Sequence, residues 1–281
     1  MYEQILYEVD EPVALITLNR PDSLNGWTES TDREVEDALR SANNDPKVVG
    51  IVVTGAGRAF SAGADMKMLS SITSGDSEAF AQINGGGGGS MADSFPPDGD
   101  FGGRFPYMMQ IDKPIIAAVN GPVAGMSYAF ALCCDIRVAS PDAMFLTAFS
   151  QRGLIAEWGL SWLLSALVGP SVALDLLFTS RKVMGEEAVR LGLANYLAPA
   201  EELLSFCREY IERLAATASP TSIAIMKRQV YQHVHRGLGA AEYESQRLMS
   251  ESFQRPDFAE GVSSFIEKRP PNFKRLGRDG D

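Results

Sequence analysis

Three stretches of the chain set residues of useful type and spacing beside the ends of apolar runs. GAGRAFSAGAD (55–65) follows VVGIVVT, GMSYA (125–129) follows PIIAAVNGPVA, and GLIAEWG (153–159) holds Glu157 between Ala156 and Trp158. The first opens with Gly55-x-Gly57, as a dinucleotide fingerprint does, but Phe60 occupies the third glycine position and no repeated strand–helix–strand unit follows. The second nearly matches G-x-S-x-G around Ser127. Ala129 replaces its last glycine and the only histidines, His233 and His235, lie together late in the chain, so a serine-hydrolase elbow lacks its base. What the two turns share is small residues where a buried strand ends, a place where backbone N–H groups approach a ligand unobstructed. Two such turns can form an oxyanion hole. Glu157, taken alone, is most often a solvated loop charge.

Composition removes several other chemistries. The three cysteines, Cys133, Cys134 and Cys207, make no C-x-x-C pair, and two histidines two residues apart on a helical stretch point to different faces, so no metal site is expected. With 25 Lys+Arg against 36 Asp+Glu the formal charge is −11 and the pI near 4.8, which argues against duplex nucleic acid and anionic membranes. No stretch approaches the roughly 18 apolar residues of a membrane span, and MYEQILYEVDEP lacks a cationic segment followed by an apolar one. A cytoplasmic protein is expected.

The elements that must carry these turns can be placed by pattern. At 281 residues, 45% hydrophobic and 22% charged, the chain is long enough for a sizeable core. YEQILYEV (2–9) and PVALITLNR (12–20) predict a β-hairpin. Thr31 and Glu34 form a capping-box pattern before Val35, Ala38, Leu39 and Ala42, which share one helical face. VVGIVVT (48–54) and PIIAAVN (114–120) are apolar throughout, as strands covered on both faces are, while 125–134 is helical and DIRVA (135–139) is β-prone. Short buried strands alternating with helices make this half α/β. From Gly159 onward the apolar spacing is helical, with Ser219-Pro220 as cap and first turn of a helix over 220–236. Residues 73–104, with five glycines at 85–89 and PPDGD at 96–100, predict a mobile surface or lid loop.

Together these residues resemble the enoyl-CoA hydratase/isomerase (crotonase) superfamily. The resemblance rests on LNRP followed by LN (18–25), TGAGRAFSAGAD (54–65), KPIIAAVNGPVAG (113–125), CDIRVAS (134–140), GLIAEWGLSWLL (153–164) and FAEGVSSFIEKR (258–269), and covers roughly residues 5–270. It implies an α/β fold, a crotonase-type spiral of ββα units over 1–200 with the loop at 73–104, and a C-terminal helical region over 201–281. Those helices would build a homotrimer or a dimer of trimers.

The resemblance also implies roles. The oxyanion donors would be the N–H groups of Ala64 and Met126, the latter at a position where the family usually has glycine. The two glutamates typical of hydratases match Ala129 and Phe149, so neither carboxylate is present. The carboxylate that does match a family catalytic position is Glu157, which members that shift double bonds keep acidic; Phe149 and Trp158 would desolvate it and border the substrate. Leu24, Ala62, Asp65, Met66 and Lys67 resemble the stretch that contacts coenzyme A, although Lys67 equally suits a solvated helix face. Tyr107, Met108 and Met109 either line an acyl pocket or pack the core, the commoner role for such residues. Arg58, Arg104, Lys268 and Arg269 are all available for the phosphates. Coenzyme A belongs to the substrate and no separate cofactor is expected. Three functions follow: a Δ3-Δ2 enoyl-CoA isomerase first, then an enoyl-CoA hydratase working through Glu157, then an acyl-CoA binder without turnover.

Overall fold

The computed structural model describes residues 2–65, 70, 74, 101, 103–234 and 236–277. The chain opens with the expected hairpin, β1 (Ile5–Asp10) antiparallel to β2 (Val13–Leu18). Helix α1 (Glu29–Asn44) buries Val35, Ala38, Leu39 and Ala42 as their spacing predicts. Its cap lies three residues earlier than the sequence pattern suggested. Thr28, in extended backbone, accepts from Thr31 N–H at 3.2 Å, while Thr31 is already inside the helix. Both residues are threonines, and the helix starts at the earlier one because nothing between them breaks it. Glu34, freed from capping, accepts from the N–H groups of Glu3 and Gln4 and ties the chain start to α1.

Strand β3 (Gly50–Gly55) runs parallel to β2, and β4 (Ile115–Val119) runs parallel to β3. After β4 the chain turns at Asn120–Gly121 into β5 (Pro122–Ala124) and then into α2 (Met126–Cys133). The pattern repeats with β6 (Ile136–Ala139), β7 (Met144–Leu146) and α3 (Leu160–Thr179). Next come β8 (Val183–Met184), α4 (Gly185–Leu191) and β9 (Tyr196–Leu197). The strands form a six-stranded sheet ordered β1-β2-β3-β4-β6-β9 and a three-stranded sheet ordered β5-β7-β8. Each repeat lays one strand in the large sheet, one in the small sheet, and then a helix, which is the ββα spiral.

Strands β3 and β4 are apolar on both sides because both faces are covered. Ile51, Val53, Ile115 and Ala117 pack into the main core with α1 and α2, while Val52, Ile116 and Ala118 pack against Leu203, Cys207 and Ile211 of α5 (Leu203–Thr217). Although α5 starts where the helical region was expected, it is thus a layer of the α/β core. Helix α6 (Pro220–His233), capped by Ser219 as the sequence predicts, is pinned to the sheet by Asp135, which accepts from Lys227 Nζ at 2.7 Å and Tyr231 Oη at 2.9 Å. The last helices differ. None of the residues of α7 (Leu238–Ser252) is buried, and α8 (Pro256–Glu267) buries only Ser264.

One expectation is corrected. By length and composition α3 is apolar enough to cross a membrane, because LSWLLSALVGPSVALDLLFT contains no charge except Asp175. Gly169, at φ +77°, and Pro170 break it, and Leu160, Leu163, Leu164, Ala173 and Leu176 are buried in the core.

Candidate active site

Two turns converge, one after β3 and one after β5. The segment after β3 is gripped from inside by Asn25, whose amide donates to the carbonyls of Ala56 (2.9 Å), Ala59 (2.8 Å) and Phe60 (3.2 Å) while its oxygen accepts from Arg20 N–H. Leu24 and Asn25 both hold left-handed backbone, φ +52° and +54°. Asparagine tolerates that conformation, a signal in the LN pair that sequence reading left unused. Ser61 then pairs with Val123 in a parallel bridge, Ser61 N–H to Pro122 O at 3.0 Å and Ala124 N–H to Ser61 O at 3.1 Å. Past this pair the two segments stay close, the position a Gly63 Cβ would take lying 3.6 Å from Met126 N.

Backbone bonding on the first segment determines where its donor points. Trp27 donates to Gly63 O at 2.7 Å and accepts from Asp65 N–H at 3.1 Å, so the N–H of Ala64, between them, faces the other way. Gly63 sits at φ +92°, and a Cβ there would fall 2.6 Å from Ala124 O; only glycine lets the two turns approach this closely. On the second segment Gly125 donates to Leu146 O at 3.0 Å, and Met126 contributes the first N–H of α2. Among the described residues neither the Ala64 N–H nor the Met126 N–H has an acceptor. Two unpaired donors, one at a helix start, suit an oxyanion.

Glu157 lies on the loop before α3, just ahead of two left-handed residues, Trp158 at φ +58° and Gly159 at φ +73°. Its side chain is half-buried, and burial pushes its carboxyl above the usual glutamate value, a hydrogen bond with Trp158 opposing the shift. The Trp158 ring meets Phe105 edge-on at 6.3 Å and lies under the Arg104 guanidinium at 5.1 Å. Arg104 pairs with Asp32, which also accepts from Trp27 Nε1, and Phe105 contacts both Trp27 and Phe130. Trp27 therefore touches the Ala64 segment through its backbone and the Trp158 wall through its side chain. Ala129 and Phe149, where hydratases of the resembled family carry glutamates, are both buried.

The remaining candidates divide. Leu24 is half-buried and accepts from Ala62 N–H at 2.9 Å; Ala62 itself is exposed. The carboxylate of Asp65 forms an ion pair with Arg20 at 3.0 Å, an internal bond that holds the turn. Met66 and Lys67, like most of 73–104, lie outside the described residues. Tyr107, Met108 and Met109 are buried in a short 3-10 turn, Pro106–Gln110, and pack in the main core. Of the basic residues, Arg104 is held by Asp32 and Arg269 by Glu260 and Glu267, whereas Arg58 is exposed on the turn that leads to Ala62. Ser127 is fully buried and bonded to Ser61, which overturns any nucleophilic role.

Repeated ββα turns that bare two backbone N–H groups at their strand ends define a crotonase-type spiral. The chain belongs to the enoyl-CoA hydratase/isomerase family, whose model matches residues 8–84 and 99–276. A probable enoyl-CoA hydratase of Mycobacterium bovis is 33% identical over 275 residues, covering 97% of this chain and 98% of its own. A crotonyl-CoA hydratase of Syntrophomonas wolfei is 29% identical over 273 residues, covering 97% and 98%. The crystal structure of an enoyl-CoA hydratase from Polaromonas sp. JS666 superposes with a TM-score of 0.85 at 26% identity, over 96% of this chain and 99% of that one. The protein is an acyl-CoA enzyme of this family, so the third expectation, a binder without turnover, is set aside.

Proposed function

We propose that the enzyme moves the double bond of a 3-enoyl-CoA to the 2 position. The Glu157 carboxylate takes a proton from C2, and the C–H electron pair passes into the thioester carbonyl, giving a dienolate. Hydrogen bonds from Ala64 and Met126 hold the charged oxygen; one such donor is worth about 3–4 kcal/mol in related sites. The carbonyl then re-forms, the π electrons shift, and C4 takes the proton back from Glu157. Base and acid are one group, and no cofactor takes part beyond the coenzyme A of the substrate.

The observation that carries this reading is the carboxyl inventory. Glu157 stands half out of water beside Trp158, while Ala129 and Phe149 put apolar side chains where a hydratase needs its pair. The names of the relatives favour a second reading, water addition with Glu157 as the single acid/base. Absorbance of the conjugated enoyl thioester separates them. A rise from 3-enoyl-CoA supports isomerisation; rapid loss from 2-enoyl-CoA with 3-enoyl-CoA untouched supports hydration instead.

A further inference from the structure

Ser61 and Ser127 meet in the interior, on the two segments that supply the bared N–H groups. Both side chains are fully buried, and their oxygens lie 2.5 Å apart. Ser61 Oγ also lies 2.6 Å from the carbonyl oxygen of Asn25, an atom that only accepts. The Ser61 proton therefore goes to Asn25, and the proton between the two serines belongs to Ser127. Hydrogen bonds run one way, from Ser127 to Ser61 to Asn25, with the Gly63 N–H pointing at Ser61 Oγ from 3.4 Å.

Each serine shares a rigid segment with one donor. Ser127 follows Met126 in the first turn of α2, and Ser61 precedes Ala64 by three residues. Backbone bonding between the segments ends at Ala124 N–H to Ser61 O. Past that bond both chains go through left-handed glycines, Gly63 and Gly125, with no further main-chain link among the described residues. The serine hydroxyls are the cross-link beyond it. A hydroxyl in α2, which is otherwise apolar apart from Tyr128, costs desolvation unless it is bonded, and among the described residues Ser61 is the side-chain partner of Ser127.

Resting on the oxyanion role assigned above to Ala64 and Met126, we propose that Ser61 and Ser127 are positioning residues, a brace that sets the gap between those two N–H groups so that both reach one thioester oxygen. Neither hydroxyl touches the substrate. A misplaced donor loses most of its effect, since small errors in position weaken transition-state stabilisation steeply.

The test uses the full chain and a 2-enoyl-CoA labelled at the thioester carbonyl, with the carbonyl stretch of the bound ligand read by infrared difference spectroscopy. In the wild type the stretch falls below its value in water. Ser127→Ala leaves the Ser61–Asn25 bond in place and should lose part of that lowering, with kcat down about 10- to 100-fold and KM little changed. Should the alanine variant not fold, Ser127→Cys keeps a weaker donor in the same place; an intermediate stretch supports the brace and a wild-type stretch overturns it. A wild-type stretch in folded Ser127→Ala overturns it equally. An unshifted stretch in the wild type removes the oxyanion reading and the brace with it, whereas a normal shift in an enzyme that only hydrates removes the isomerase reading and leaves the brace standing.

Discussion

In the proposed reaction Glu157 is the base, and burial beside Trp158, which raises its pKa above the usual glutamate value, would strengthen it as one. Removing the charge while keeping the shape isolates that contribution. Glu157→Gln should lose at least about 100-fold in rate with acyl-CoA binding retained, measured by the absorbance assay and by calorimetry. The base is active only when ionised, so the acid limb of kcat/KM should lie above the ordinary glutamate range and vanish in the variant. Stability should move oppositely. A carboxyl whose folded-state pKa is raised binds its proton more tightly when folded, so its contribution is fully present below the unfolded value and is lost as pH rises through the folded one. Glu157→Gln should therefore melt higher than the wild type at neutral pH, with the difference closing in acid. A wild-type melting temperature at both pH values would show that desolvation is not what shapes this carboxyl.

At the scale of the turns, the proposed mechanism uses backbone rather than side-chain groups. Gly63→Ala places a Cβ against Ala124 O in a left-handed residue and must push the two turns apart. We expect a kcat loss of at least about 100-fold with the circular dichroism spectrum preserved; near-normal turnover would mean that the close approach is dispensable. Asn25 acts on stability as well, because its amide serves three carbonyls that otherwise face an apolar interior. Asn25→Ala should cost about 2–3 kcal/mol in urea unfolding, as expected when buried acceptors lose their donor. Much at this scale was legible beforehand: β3 and β4 declared themselves by unbroken apolar runs, and α6 by its Ser-Pro start. The start of α1 was not, since Thr28 and Thr31 offer the same hydroxyl and local sequence does not choose between them.

For the molecule as a whole, the last two helices carry apolar side chains that the chain itself leaves bare. Leu238 is 84% exposed, Tyr243 78%, Phe265 86% and Ile266 72%. Helices that bury at most one residue of their own while leaving such side chains bare gain little from folding alone, so we propose that α7 and α8 are covered by other copies of the chain, in a trimer or a dimer of trimers. Light scattering at micromolar concentration should give a multiple of 30.4 kDa, and Phe265→Asp should shift the mass toward the monomer. A wild-type monomer under those conditions would remove the proposal.

The sequence by itself determined which segments could be strands and helices, because alternation, helical spacing and unbroken apolar runs are local patterns. It also supplied the chemistry in kind: the turns at 62–64 and 125–126, a carboxyl at 157 and apolar residues at 129 and 149. Only the tertiary structure decided how these meet. The bridge between Ser61 and Val123 joins residues 62 positions apart and thereby brings the segment that carries Ala64 beside the one that carries Met126. The contacts from Trp27 through Asp32 and Arg104 to Trp158 join three distant chain segments and hold the wall beside Glu157. Such pairings leave no periodic trace along the chain, since each depends on how the sheets stack and not on the spacing of neighbours.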